Sequence, residues 1–488
     1  MAKESIRSRT FKGTIWSGVQ QAGTIFLSFV SGIILARLLT PADYGCIGML
    51  TIFLIVSNTF IDGGLGSALI QKKDPKNCDY STVFFWNLVL SAGLYILLFF
   101  SAPAIARFYN QEILCDVLRV MGLVLIINAV KIVPFNRLKK NLFFNKIAII
   151  EVTSSLASLG LTIFLAYRGA GVWSLVFQQI FMSFFSACAY WAIGNWRPSW
   201  SFSKESFREL FSFGGFILLS NLINNFCNNI EGLLIGKFYS PATMGYYSKA
   251  KSTESVSSSF LSQVVEQVAY PVLSEIQNDR EQFIDILRKI ICSLAYITFP
   301  IMLLLVVLAK PIFILLYTDK WLDSVPYFQI LCFAGLAICL QGINYYAVAA
   351  MGKSKDLFKW TIVKRGLGLV FIFCGIILCG MRGLLVGIVM TAWTIYLINA
   401  YLVAGHVGYS ILAQLRDLAP VAGITAVAFF ITYASGQIIV ANMYFVAAVQ
   451  LVLFVATYIL LSYIFKLNSF VYFRSLLYPY VRRFIRKG

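Results

Sequence analysis

Ala36 to Gly45 reads ARLLTPADYG, and Gly236 to Gly245, 200 positions later, reads GKFYSPATMG. Arg37 matches Lys237, Thr40 matches Ser240, and Pro41, Ala42 and Gly45 match Pro241, Ala242 and Gly245. In each string a Ser or Thr stands where a helix N-cap belongs. Proline follows at the first helical position, where its missing N–H leaves no bond unmade. Asp43 takes the place of a capping-box acid in the first copy. Such chemistry is common at helix–helix turns; the flanking residues make this one a repeat. Before the first string, Ser17, Gln20, Gln21, Thr24, Ser28 and Ser31 recur at steps of three and four. The same offset lands on Ile217, Ser220, Asn221, Asn224, Asn228 and Glu231. Each stripe is one polar face on an otherwise apolar helix. After the strings, Thr51, Asn58 and Asp62 correspond to Lys251, Ser258 and Ser262, and the second copy adds Glu254 and Glu266. An arginine–glycine pair, Arg168-Gly169 and Arg382-Gly383, forms a further echo.

The apolar body between these signals needs lipid. Of 488 residues, 59% are hydrophobic and 12% charged, with mean hydropathy +0.78. A water-soluble fold of this length leaves too much surface to hide that composition. The basic start lacks the short apolar core and cleavage site of a signal peptide, so the first span is expected to be retained. Apolar stretches long enough to cross a bilayer lie near 11–36, 41–64, 81–105, 114–136, 147–167, 171–193, 212–236, 243–272, 290–317, 326–350, 360–380, 384–405, 417–438 and 443–465, fourteen in all. The eighth is interrupted by Lys249, Lys251, Glu254 and Glu266. With the N-terminus placed inside, 29 of the 40 Lys and Arg fall on the inner side and 10 on the outer, with Lys131 within a span. That bias follows the positive-inside rule, and omitting the eighth span would invert every later loop. Both termini are therefore expected to be cytoplasmic.

The expected fold is all-α and polytopic: a six-helix lobe over 1–205, a second over 206–410, and two further helices with a basic tail over 411–488. An offset of six helices preserves orientation, so the repeats are parallel and related by an axis along the membrane normal. The polar stripes then point either into a watery cavity between lobes or into neighbouring helices as hydrogen-bonding glue. The substrate-cavity candidates are Gln21, Thr24, Asn58, Lys131, Asn221, Asn224, Asn228, Lys251 and Ser258. Lysine offers a pyrophosphate a point charge. The carboxylates Asp62, Glu231, Glu254 and Glu266 are candidates for carrying a coupling proton or sodium ion. Lys251 and Glu254 also have the spacing of an ion pair, and Lys131 the reach to snorkel toward the inner headgroups.

Other chemistries find no support in the sequence. The net charge of +19 is dispersed over short loops, which argues against nucleic acid. The ten cysteines are scattered without a CxxC pair, so neither disulfide nor metal roles are expected. His406 is the one histidine. No phosphate-cradling glycine loop or long outer loop suggests an enzyme, and no cofactor is implied.

Several further strings resemble the polysaccharide-transporter family. They are FIDGGLGSALIQKKD (Phe60 to Asp74), FNKIAIIE (Phe144 to Glu151), NIEGLLIGKFYSPATMGYYSKA (Asn229 to Ala250), YPVLSEIQND (Tyr270 to Asp279) and KWLDSVPYFQILCFAG (Lys320 to Gly335). The likeness runs to about Ser410 and is nearest to colanic-acid-type exporters and lipopolysaccharide O-unit flippases. It implies the multidrug/oligosaccharidyl-lipid/polysaccharide fold in a bacterial inner membrane. It also implies alternating access that moves an undecaprenyl-pyrophosphate-linked oligosaccharide outward, with a cation gradient and with polysaccharide polymerase or assembly proteins as partners. Relatives often carry aspartate where this chain has Glu231. A small-molecule cation antiporter of the same superfold is the alternative within transport. A non-transporting scaffold for polysaccharide assembly is the alternative outside it.

Overall fold

The computed structural model describes the backbone of residues 6–439, 441–467 and 469–471, with side chains outside the described residues at 6–15, 19, 213, 259–261, 263–268 and 354. The basic tail beyond residue 471 and the Glu266 side chain thus lie outside the described residues. Sixteen α-helices follow one another, with no strand among the described residues. They are α1 (Ile6–Leu38), α2 (Pro41–Asp62), α3 (Leu65–Gln71), α4 (Asn77–Tyr109), α5 (Ile113–Met121), α6 (Leu123–Lys140), α7 (Phe144–Tyr167) and α8 (Val172–Ile193). The chain continues through α9 (Lys204–Phe238), α10 (Pro241–Glu275), α11 (Arg280–Val307), α12 (Ala309–Tyr317), α13 (Ser324–Ala350), α14 (Ser354–His406), α15 (Ile411–Ile438) and α16 (Met443–Ile464).

Eleven of the described helical stretches are long and apolar enough to cross a membrane, and α9, bent by 51° beside Gly214, makes a twelfth. Two features are compatible with fourteen. The 53-residue α14 is broken at Cys379 and Gly380, whose dihedrals are not helical, so it is two antiparallel arms. The 35-residue α10 is long enough to span but carries the polar residues already noted. The fold is that of an all-α polytopic membrane protein.

The opening turn forms as its residues dictate. Thr40 caps α2: its backbone N–H donates to Asp43 Oδ2 (2.9 Å), and Asp43 N–H donates to Thr40 Oγ1 (3.3 Å). Ser240 Oγ accepts from Thr243 N–H in the same way (3.2 Å). The two turns then meet reciprocally. Gly45 faces the carbonyl of Pro241, and Gly245 faces the carbonyl of Pro41. A Cβ at either glycine would fall on that backbone. The pseudo-symmetry legible as an offset of 200 is therefore a physical contact between the two turns.

Contacts divide the chain into two compact units, 1–248 and 249–488. In the first unit, α9 packs along α2 and α3. Gly48 sits against Met244 and Ser248, and Gly236 against Met49 and Tyr109. At the opposite end of α2, Gly63 and Gly64 adopt left-handed φ values of 55° and 67°, ending the helix, and Gly64 abuts the Gly214 carbonyl. In the second unit, the arms of α14 close through glycines: Gly375 faces Gly383, and Gly387 faces Phe371. The break falls at Cys379-Gly380, three residues ahead of the Gly383 that the arginine–glycine echo marks.

The last two helices belong to the second unit. Arg288 of α11 donates to both oxygens of Asp417 on α15, at 2.6 Å to Oδ1. Tyr409 donates to the same carboxylate (2.6 Å), and burial together with that neighbour pushes its phenol up. Asn344 of α13 and Tyr396 of α14 both donate to Gln414 Oε1, and Tyr458 of α16 donates to the Tyr296 carbonyl at 2.8 Å. Bidentate Arg–carboxylate pairs and buried amide networks of this kind fix orientation as well as adding energy.

Candidate functional site

The polar stripes divide into two kinds. Some members bond helix to helix. Asn128 of α6 donates to Asn58 Oδ1 (3.0 Å), while Asn58 Nδ2 donates to the Leu54 carbonyl of its own helix. Asn225 of α9 donates to Thr59 Oγ1 of α2 (2.8 Å), and Gln178 of α8 to Ser31 of α1 (2.7 Å). Thr24 donates to the Gln20 carbonyl one turn back. Each such bond contributes about 0.6–2 kcal/mol in a membrane. Other members are less enclosed: Gln21, Ser28, Asn221 and Asn228 are exposed, and Asn224 is half-buried. A polar side chain at membrane depth without a protein cover calls for water or a polar ligand.

Lys131 bonds within the first unit. Its Nζ donates to Ser186 Oγ of α8 at 3.1 Å inside the first unit. Nearby, Tyr190 donates to Glu151 of α7 at 2.7 Å. Asp62, at the end of α2, is half-buried and converges with Asn136 on Gly66 of α3. Glu231 is buried in α9.

An ion-pair cluster ties the segment after α3 to α4 and α9. Lys72 Nζ lies 2.8 Å from Glu209 of α9 and 3.2 Å from Asp79 of α4. The Glu209 bond holds the Lys72 ammonium above the usual lysine range. Lys140 donates to the Leu69 and Ile70 carbonyls, satisfying the C-terminus of α3. The linker into α9 is strapped to α4: Trp196 donates to Asn77 (2.6 Å), and Ser203 N–H to Thr82 (3.0 Å).

In the second unit, Lys249 is 3% exposed. Its Nζ sits 4.2 Å from the ring centre of Tyr317 and 5.7 Å from that of Trp321. Desolvated cation–π contacts contribute about 2 kcal/mol. Thr253 and Tyr317 share a hydrogen bond of 3.0 Å, so α10 is fastened to α12 and the turn beyond it. One turn deeper, Glu254 is 5% exposed and Ser258 is buried, while Lys251 is half-buried. Lys364 is buried on α14 and donates to Asn399 Oδ1 at 2.8 Å. Neither Lys249 nor Lys364 stands out in the sequence as a site residue, because the partners come from helices far away in the chain.

A model of the polysaccharide biosynthesis protein family matches residues 34–326. That interval holds both repeat turns, the α2–α9 seam, the Lys72 ion pairs and the buried half of α10. The chain belongs to the polysaccharide biosynthesis protein family. Among polysaccharide biosynthesis proteins it is similar to teichuronic acid biosynthesis protein TuaB of Bacillus subtilis, 26% identical over 362 residues, covering 73% of this chain and 74% of that one. It is also similar to lipopolysaccharide biosynthesis protein WzxC of Escherichia coli, 23% identical over 393 residues, 79% of each. Its fold is that of the lipid II flippase MurJ in an inward closed conformation, with TM-score 0.74, 15% identity, and coverage of 93% of this chain and 98% of that one. In this polysaccharide biosynthesis protein, α15 and α16 lie beyond the matched interval yet are bonded into the second unit.

Proposed function

We propose that the chain is a flippase that carries a lipid-linked oligosaccharide across a bacterial inner membrane for polysaccharide assembly. The family match over residues 34–326 is the observation that carries this reading. The repeats, read as lobes over 1–205 and 206–410, alternately expose a polar path to either side. The exposed stripe members, Gln21, Asn221 and Asn228, serve that path, with Asn224, Lys251 and Ser258 beside them. Asn58 and Thr24 support it from within the helices, and Lys131 stands behind it on Ser186. Undecaprenyl pyrophosphate is the lipid carrier proposed, its charge offset by lysine rather than by a metal. Asp62, Glu231, Glu254 and Glu266 remain the proposed carriers of a coupling proton or sodium ion, and a polymerase is the proposed recipient of the cargo. Both termini are placed on the cytoplasmic side by the charge bias.

The test is genetic. Deleting the gene should abolish one surface polysaccharide, and the wild-type chain should restore it. Lys251→Ala should restore it poorly while accumulating in the membrane at wild-type levels. Intact polysaccharide in the deletion strain, with export of a cationic drug lost instead, would favour the antiporter reading. Full polysaccharide with an inactive cavity variant would favour a scaffold.

A further inference from the structure

Residues 194–203 read GNWRPSWSFS and join α8 to α9, just past the end of the span Val172–Ile193. Tryptophan and arginine crowded into a short linker are the composition of a membrane boundary. Trp196 is buried and packs into the first unit. Trp200 does the opposite: it is 97% exposed and stacks on Phe85 of α4, ring centres 5.3 Å apart. Phe202 is exposed beside it. Between them and α8 the backbone turns at Asn195, whose φ of 44° is left-handed. Two arginines close on this turn. Arg137, in the last turn of α6, donates from Nη1 to the Asn195 carbonyl at 3.5 Å. Arg197 donates from Nη1 to the Trp196 carbonyl at 3.2 Å, and its guanidinium lies 5.5 Å from the ring centre of Trp191 on α8.

Two guanidiniums are thus held on adjacent peptide carbonyls, and like charges this close repel. Among the described residues neither makes an ion pair with a carboxylate. The acids of this end of the unit are engaged elsewhere: Asp79 and Glu209 by Lys72, Glu151 by Tyr190. A guanidinium carries several N–H donors, and the carbonyls take one from each. Phosphate oxygens match what remains, because such forks bind them bidentately. Arg197 is exposed and Arg137 half-buried, so the pair is accessible to a headgroup. Inorganic phosphate would leave the exposed indole of Trp200 and the ring of Phe202 in water. A phospholipid satisfies both halves, its phosphate on the arginines and its glycerol and acyl region along the rings. The ammonium of a zwitterionic headgroup would add a third positive charge, so an anionic lipid is favoured.

We propose that Arg137 and Arg197 bind the headgroup phosphate of an anionic glycerophospholipid at the α8–α9 linker. Trp191 flanks the phosphate, and Trp200 and Phe202 line the acyl side. The bound lipid bridges the end of α6 to the linker. It completes the strap to α4 that Trp196, Ser199 and Ser203 begin. The site makes no use of the polar stripes, so it holds whatever the chain carries.

Native mass spectrometry tests this on the full-length protein, released from detergent micelles to which phosphatidylglycerol or phosphatidylcholine has been added. The wild type should retain phosphatidylglycerol in preference to phosphatidylcholine. Arg137→Gln with Arg197→Gln should weaken that binding by about tenfold or more, the loss expected for a charge-assisted hydrogen bond. Lys353→Gln with Lys355→Gln removes the same charge from exposed lysines of the second unit, and should bind as the wild type does. Equal weakening in this control overturns the proposal, since overall charge then suffices. A wild type that does not distinguish the two lipids overturns it as well. So does one-for-one displacement of phosphatidylglycerol by undecaprenyl pyrophosphate, which would make the arginines part of a cargo path. If the double arginine variant does not fold, Arg197→Gln alone decides: weakened retention supports the assignment and unchanged retention overturns it.

Discussion

At the residue scale, burial and partners separate side chains that look alike in the sequence. Lys131, Lys249 and Lys364 all interrupt apolar runs, yet their partners differ: a serine, two aromatic rings and an asparagine. Replacing Lys249 with methionine keeps the stem but removes the cation–π contact. It should lower the thermal midpoint of the purified protein, by an amount corresponding to about 2 kcal/mol. An unchanged midpoint would show that the cage carries no energy. A Cβ on Gly335 of α13 would meet Glu254 Oε1, so Gly335→Ala should displace the Glu254 carboxylate and reduce polysaccharide export more than it reduces protein level; overpacking of this kind costs about 1–3 kcal/mol. Equal losses of both would mean that the glycine serves packing alone. The stripe residues were legible as candidates because steps of three and four define a face. Their roles were not, since Asn58 bonded to Asn128 and the exposed Asn221 obey the same period. The aromatic partners of Lys249 lie some 70 residues further on, beyond the reach of any local pattern.

At the scale of elements, the helix starts follow from local chemistry. Thr40, Pro41 and Asp43 form the cap and box expected of them, since every participant lies within one turn. The breaks are less evident: α3 splits from α2 at two left-handed glycines, and α14 turns at Cys379-Gly380. Both follow from glycine's freedom, but several glycines in the same helices take no such conformation. The reciprocal packing of the two turns gives a matched prediction. Gly45→Ala and Gly245→Ala should each destabilise by about 1–3 kcal/mol, and by similar amounts, measured by thermal unfolding in detergent. Gly160→Ala, where a Cβ meets open space, should be neutral or slightly stabilising. Unequal effects at Gly45 and Gly245 would argue against their structural equivalence. The Lys72–Glu209 pair is exposed on one side, so a double-mutant cycle should return about 1 kcal/mol or less of coupling. A larger value would mean that the junction of α3, α4 and α9 depends on this ion pair.

At the scale of the whole molecule, the repeat was open to reading because a sequence offset is a global property. The docking of α15 and α16 was not readable. It depends on Arg288 meeting Asp417 and on Asn344 meeting Gln414, pairs fixed only by tertiary packing. The central claim is that this assembly moves a lipid-linked sugar, and reconstitution tests it most directly. The full chain is placed in liposomes with a fluorescent undecaprenyl-pyrophosphate-linked oligosaccharide, and a membrane-impermeant quencher reports the fraction exposed outside. The account predicts that the protected fraction becomes accessible faster than in protein-free liposomes, faster still with an imposed pH gradient, and that Glu254→Gln loses the response to the gradient. A rate equal to that of empty liposomes, with and without the gradient, would contradict it.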